Sequence, residues 1–427
     1  MPSGRSRGRS QKRQHPLGIL PLDAHLELAA TARYDRYRLD PRAQVRNEKA
    51  FAEMKAHLND LYQGVNPVHS FEDPAGAVVD CVPIERQPSL RRHRGAIPVA
   101  PDLRPLLQGQ PAEPISVALE QVPEELRIDR HGNRMQAPPG TIPMRRVTLD
   151  ELARFEDLRS FFRKQPGPVQ VGPSAPDADV SKNHRYAYTQ QAVDTVGAHS
   201  ALALYAPSID SNQVFSLSQH WYAGGSGTGH QTLELGWQVF PGKYGHASPV
   251  FFIYWTADNY GSTGAYNLDQ PGFVQTNSSV TIGGALSPVS VQGRQQMEVE
   301  VAVYLFNGNW WLYFGGITAA NAIGYYPTSL YSGGQMASNA TEILFGGETV
   351  TRAVSWPGMG SGAFASAGWQ QAAYQRDIYY YPPGGGSQWT SLTPFQPSPG
   401  CYTLDLGSAP SPWGVYFFYG GSGGGDC

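Results

Sequence analysis

The feature that most constrains this chain is a break in composition near residue 180. From 181 to 427 there are only 12 Asp and Glu and 6 Lys and Arg, yet this stretch holds all nine tryptophans and 20 of the 23 tyrosines. Its text runs as short strand-like pieces: Tyr186-Ala-Tyr, Ala201 to Tyr205, Gln213 to Ser218, Gln231 to Phe240, Val250 to Thr256, Gln296 to Phe306, Asn309 to Phe314, Thr341 to Phe345 and Trp413 to Tyr419. Clusters of Gly, Asn, Pro and Ser separate them at short intervals. Many strands with almost no helical periodicity predict a mostly β fold, an antiparallel β-sandwich with curved, jelly-roll-like sheets.

Residues 1–180 read differently. They carry a net charge of +3 against −6 for the rest, so the chain is expected to be two units, with opposite charges modestly favouring their docking. Residues 1–40 are expected to be a basic, disordered tail built around Arg5, Arg7, Arg9, Lys12 and Arg13. Residues 41–165 are expected to form a smaller, mixed α/β and irregular domain. In it, a helix runs from Pro41 to about His57 and a strand covers Ala77 to Ile84. A capping box at Thr148-Leu-Asp-Glu151 starts a further helix ending before Pro166. Residues 166–180 read as a proline-rich linker, and 181–427 as the main domain.

The overall charge of −3 argues against a dedicated nucleic-acid binder. No run approaches the roughly 18 apolar residues that would span a bilayer. The composition of the second half suits an extracellular protein, although Leu17-Gly-Ile-Leu-Pro-Leu22 makes a poor signal peptide. A monomer is expected.

Two glutamates stand out in the charge-poor half, Glu234 and Glu348. A carboxylate on a half-buried strand must find hydrogen bonds or raise its pKa. Alternation in Gln231 to Val239 puts Thr232, Glu234, Gly236 and Gln238 on one polar face, with Leu233, Leu235, Trp237 and Val239 on the core side. In the second strand Glu342, Leu344, Gly346 and Glu348 align, and Gly346-Gly347 offers a place for a bulge that would re-aim Glu348. A lone strand glutamate is more often a solvated sheet-face residue than a catalyst. If the two faces converge, however, one carboxylate keeps a proton while the other deprotonates water. Amide and glycosidic hydrolysis are both open to such a pair.

Other chemistries find less support. His184, His199, His220, His230 and His246 are scattered without ligand spacing, so no metal is expected, and no cofactor. Ser361 lacks the nucleophile-elbow pattern, and the Gly-Gly-Gly runs read as turns. Cys401 and Cys427 could form a bridge that ties down the glycine-rich C-terminus, worth about 3–4 kcal/mol on the loop-entropy model; the alternative is two free thiols. Cys81 reads as a small buried hydrophobe.

A set of motifs then occurs in a telling order: Gly236-Trp-Gln-Val-Phe-Pro241, Tyr254-Trp-Thr-Ala-Asp-Asn-Tyr260, Thr263-Gly-Ala-Tyr-Asn-Leu268, Gly272-Phe-Val-Gln275, Asn309-Trp-Trp-Leu312, Ile323-Gly-Tyr-Tyr-Pro327, Phe345-Gly-Gly-Glu348 and Met359-Gly-Ser-Gly362. With Cys401-Tyr and Phe418-Tyr-Gly-Gly they resemble a neprosin domain. Val79 to Pro88 and Pro139 to Arg146 resemble the same family's activation region, and Lys182-Asn-His-Arg-Tyr-Ala its entry to the peptidase domain. The resemblance implies a glutamic peptidase, made as a zymogen, that cleaves after proline at acid pH. It puts the catalytic pair on Glu234 and Glu348, with proline-containing peptides and the chain's own pro-domain as partners. Gln238, Trp237, Trp255 and Trp310 are the candidates for holding substrate. Ala265 and Asp269 stand where plant members carry cysteines, so that staple is absent.

Overall fold

The computed structural model describes residues 16–91, 96–107, 127–164, 183–425 and 427. The first part begins with helices α1 (Leu22–Thr31), α2 (Tyr34–Arg38) and α3 (Glu48–Leu61). The N-terminal helices α1 and α2 thus occupy a stretch read from sequence as tail; the basic arm itself lies outside the described residues. Asn47 caps α3 by accepting from the Ala50 N–H, and Phe51, Met54, Leu58 and Leu61 bury one face at helical spacing.

Strands β1 (His69–Glu72), β2 (Val78–Pro83) and β3 (Thr141–Arg145) form a small antiparallel sheet. Two short helices follow, α4 (Leu149–Ala153) and α5 (Leu158–Phe162). Sequence periodicity suggested one helix here. A second capping box, Asp157 with Ser160, starts α5 afresh after the Thr148–Glu151 box that starts α4.

The second part is a sandwich. Its chain order is β4 (His184–Thr195), β5 (Gly197–Ala203), β6 (Gln213–Gly224), β7 (Gln231–Val239), α6 (Pro241–Tyr244), β8 (Val250–Thr256), β9 (Ala265–Tyr266), β10 (Val274–Gln275), β11 (Glu298–Phe306) and β12 (Asn309–Phe314). It continues with β13 (Ala322–Pro327), β14 (Ala340–Thr351), β15 (Ala373–Tyr381), β16 (Gln388–Trp389), β17 (Thr393–Phe395), β18 (Thr403–Ala409) and β19 (Gly414–Gly420). One sheet runs β17-β4-β14-β6-β7-β8-β9; the other runs β10-β13-β12-β11-β5-β15-β19-β18, with β16 beside β15. The strand pairs are antiparallel. Cys401 and Cys427 are bridged, with Cα atoms 5.3 Å apart, and Cys81 is free and buried.

The two sheets meet face to face through apolar side chains and a few satisfied polar ones. Trp237 donates its indole N–H to the Ala203 carbonyl at 2.8 Å, and Tyr222 its hydroxyl to the Ala198 carbonyl at 3.1 Å. Ser200 and His220 are hydrogen-bonded at 2.6 Å in the same layer. These contacts fix which face of β6 and β7 is internal. The other face, carrying Gln219, Trp221, Glu234 and Gly236, is turned away from the sandwich core.

That outward face is covered by the first part of the chain. Phe155 packs edge-on against Phe240, and the Lys243 ammonium sits 3.5 Å from the centre of the Phe161 ring. Gln87 exchanges two hydrogen bonds with the Gln275 backbone, at 2.8 and 2.9 Å. One apolar core runs through both parts, from Phe51 and Leu152 to Phe252 and Tyr266. Among the described residues, the ion pairs joining residues 16–164 to the sandwich are those of Lys164. Docking therefore rests on apolar packing, with one buried cation, more than on the opposite net charges of the halves.

Candidate active site

Three rows of cross-strand neighbours line the covered face. The first is Tyr186, Glu348, Leu217, Gln238 and Val250; the second is Tyr188, Gly346, Gln219, Gly236 and Phe252; the third is Leu344, Trp221, Glu234, Tyr254 and Tyr266. Because partners across an antiparallel ladder point to the same side, Glu348 and Glu234 share a face from opposite outer rows. The middle row between them contains two glycines. A Cβ on Gly236 would come within 2.0 Å of the Ser218 carbonyl oxygen, and one on Gly346 within 2.4 Å of the Tyr188 Cα. Glycine is required at both positions because neighbouring backbone lies too close for a side chain, and it leaves space above the sheet for the carboxylates to approach each other.

They meet at one cation. Lys164, two residues beyond the end of α5, places its ammonium in hydrogen bond with Glu234 Oε2 and 3.1 Å from Glu348 Oε2. All three side chains are buried. The same ammonium lies 5.1 Å from the centre of the Trp221 ring, a favourable cation–π position.

The remaining partners of the two carboxylates differ in kind. Glu234 Oε1 accepts from the Tyr260 hydroxyl at 2.6 Å and the Thr232 hydroxyl at 2.9 Å, and Oε2 accepts from the Gln219 amide at 3.2 Å. Apart from Lys164 these are neutral donors. Glu348 Oε1 instead faces His184 Nδ1 at 2.7 Å. Burial pushes the Glu348 pKa up, but the Lys164 charge and the His184 hydrogen bond outweigh it and hold the group at about 2.

Tyr260 reaches Glu234 from a tight loop. The Asp258 carboxylate accepts from the backbone N–H groups of Gly261, Ser262 and Thr263, at 3.1, 2.7 and 3.1 Å. Burial opposes its charge, yet the Ser262 and Thr263 hydroxyls, with the backbone N–H groups of the same two residues, hold its pKa well below the usual carboxylate range. The turn forces Tyr260 to a φ of +58°, an uncommon conformation for a bulky residue and a frequent mark of functional loops. From the first part of the chain, Arg159 and Arg163 both donate to the Gly261 carbonyl, at 3.1 and 2.6 Å. The loop that carries Tyr260 is thus tied to the segment that carries Lys164.

The other residues singled out in the sequence fall unevenly. Gln238 shares the face of Glu234, and its amide lies 3.4 Å from the Tyr266 hydroxyl. Trp237 and Trp310 are fully buried away from the pair. The first bonds to Ala203 across the sandwich, and the second donates to the Met336 carbonyl at 2.7 Å, so neither can touch a substrate at the glutamates. Trp255 pairs with Leu233 on β7 and packs on Tyr326 and Tyr331, also on the side away from Glu234. Besides Tyr260 and His184, which bond the carboxylates directly, Tyr186, Tyr188, Trp221 and Phe252 stand in the three rows that line the face of the pair. No bulge re-aims Glu348: the β14–β6 register is unbroken from Glu342 to Val350.

Sequence reasoning missed Lys164, His184, Tyr260 and Gln219. Tyr260 and His184 stood inside quoted motifs, but nothing local joined them to a glutamate. Among the described residues no three His, Cys, Asp or Glu side chains are grouped as metal ligands would be. None of the helices there is long and apolar enough to cross a membrane.

Residues 212–422 match the Neprosin family model, a span that includes both glutamates and supports a place in the neprosin family. The chain is also similar to solved structures of scytalido-glutamic peptidase. One, with a transition state analog inhibitor, is 9% identical at a TM-score of 0.32. Another, with a peptide based transition state analog, is 9% identical at 0.29. In each case 56% of this chain and 98% of the other are covered.

Proposed function

We propose that this protein is a glutamic endopeptidase, made as a zymogen, that cleaves peptide bonds after proline at acid pH. The observation that carries the reading is the convergence of two buried carboxylates, from strands separated by β6, on a single removable cation. With Lys164 withdrawn, two carboxylates left together cannot both ionise cheaply, so the pair shares a proton. Glu348, beside His184, is the member suited to stay ionised and take a proton from water. The water oxygen then attacks the peptide carbonyl carbon. Glu234, whose donors Tyr260, Thr232 and Gln219 bring no positive charge to hold it ionised once Lys164 has left, is the member that carries the proton in this scheme. It polarises the carbonyl oxygen and afterwards protonates the departing amine as the C–N bond breaks. Amide hydrolysis is complete without a covalent enzyme intermediate.

Latency is supported by the same geometry. Residues 16–164 act in this reading as the pro-domain, with 165–182 as the linker to be cut. Lys164 takes up the acceptor positions that water and substrate would need. Release on acidification is supported by Glu348, held ionised by Lys164, and by His57 and His220, held neutral by burial, all of which take up protons less readily in the folded chain. The rings of Tyr186, Tyr188 and Trp221, with centroids 5.8 and 6.0 Å apart in turn, offer flat apolar walls suited to a pyrrolidine ring. The disulfide suits an oxidising, extracellular site of action.

The test is to incubate the full chain at acid pH with peptides that contain or lack proline, and with soluble glucans. Cleavage of the proline peptides alone is expected. Hydrolysis of a glucan would replace the reading with a carbohydrate hydrolase using the same pair, and no turnover of any would leave a non-catalytic sandwich.

A further inference from the structure

His184 takes no proton in the hydrolytic scheme, yet it touches the residue that does. It sits at the start of β4, is fully buried, and directs Nδ1 at Glu348 Oε1, 2.7 Å away. Its ring stacks at 6.1 Å on Tyr186, the cross-strand neighbour of Glu348. Its other nitrogen, Nε2, is buried with no hydrogen-bond partner. Burying that nitrogen unpaired is unfavourable, so the ring orientation is set by the Glu348 bond. In either protonation state an N–H at Nδ1 can donate to the carboxylate, and a donor favours the ionised form of its acceptor. The tautomer follows from this geometry.

We propose that His184 is a positioning residue that holds Glu348 ionised and aimed in the acid range after Lys164 has left, and so sets how far down in pH the enzyme works. The inference rests on the reading of Glu348 as the base. The other charged and titratable groups facing Glu348 are Lys164 on the covering segment, Glu234 beyond it on β7, Tyr186 on β4 and Tyr266 on β9. Burial and the nearby carboxylate push both tyrosine hydroxyls well above their usual range, so they stay neutral. Once Lys164 is gone, His184 is the remaining cation-forming neighbour. By contrast Glu234 keeps only neutral donors, and this asymmetry is what separates the roles of two chemically identical side chains.

The experiment has two readouts. In the full chain, with glutamate side-chain carboxyls labelled with ¹³C and Glu348 assigned by its loss in Glu348→Gln, the carboxyl is titrated by NMR in a Lys164→Met background. His184→Gln and His184→Ala remove or displace the donor, whereas His184→Asn keeps a donor at the Nδ1 position. The Gln and Ala variants are expected to raise the Glu348 midpoint by about one pH unit, and the Asn variant to leave it near that of His184. The acid limb of kcat/KM against pH in the acid-treated chain is expected to move by the same amount, with kcat at the plateau changed less. An unmoved Glu348 midpoint in whichever of the Gln and Ala variants folds would overturn the inference. So would an Asn variant shifted as far as Gln. If the midpoint moves but no variant, nor the parent, hydrolyses peptide, the role of His184 stands and the peptidase reading falls.

Discussion

The ammonium of Lys164 and a carboxylate oxygen of Glu348 are 3.1 Å apart, with both side chains buried.

 The ammonium arrives from the first part of the chain and the carboxylate from β14, and the same ammonium also bonds Glu234. A single lysine therefore neutralises the pair that the proposed chemistry needs free.

Replacing that lysine tests the relationship directly. Removing one partner of a buried ion pair costs about 3–5 kcal/mol, because the charge left behind is uncompensated. Lys164→Met is expected to lose stability of that order at pH 7 and less near pH 4, where one carboxylate takes up a proton. It is also expected to hydrolyse peptide without prior cleavage of the linker. Denaturant unfolding at the two pH values, with a peptide assay on the uncut chain, checks both.

The pH dependence of the intact chain has a definite sign. Glu348 has its folded pKa lowered from 4.5 to about 2. Its contribution is present above 4.5 and lost as pH falls towards 2, an effect of about 3 kcal/mol. His57 and His220 are held neutral by burial, with pKa values below the usual 6.5, so their contribution is full above 6.5 and declines below it. These groups lower stability from pH 6.5 downward. The raised pKa values of His199, Glu342 and Asp377 act in the opposite sense. A net fall is expected because the Glu348 shift is large. Unfolding free energies that rise on acidification would contradict this.

His57 gives the pro-domain side of that response. Its ring packs edge-on against Phe162 at 5.0 Å, two residues before Lys164, with Asp60, Asp269 and Lys243 as its charged neighbours. Charging it on acidification would loosen α3 from α5. His57→Leu should therefore lower the pH at which the covering segment leaves. Trp221, beside the Lys164 ammonium, is a natural fluorescence reporter of that event.

Tyr260→Phe removes a hydroxyl 2.6 Å from Glu234. Glu234 becomes a carboxylate as it gives up its proton, and a hydrogen bond to a charged group is worth about 1.5–3 kcal/mol, so kcat/KM should fall by about 10- to 100-fold while the fold is retained. Steady-state kinetics and a thermal melt on one preparation decide it.

Much of this was legible in the sequence because strands have a period of two. Alternation put Glu234, Gly236 and Gln238 on one face and Trp237 with the core, and the ladder agrees. That same alternation keeps Trp237 from being a substrate contact, since it faces Ala203 across the sandwich. At Gly346-Gly347 the glycines suggested a bulge, but Gly346 serves close contact with Tyr188 in an unbroken register. Lys164 was invisible for a different reason. Its partners are 70 and 184 residues away, and a lone lysine at the edge of a linker carries no local mark of such contacts. His184 likewise acquires its role only when β4 pairs with β14.

The most direct measurement is mass mapping of the full chain after acid incubation, comparing the parent with Glu234→Gln and Glu348→Gln. The account predicts cuts after proline between residues 165 and 182 in the parent, and none in either variant. Identical processing in all three would contradict a catalytic role for the pair.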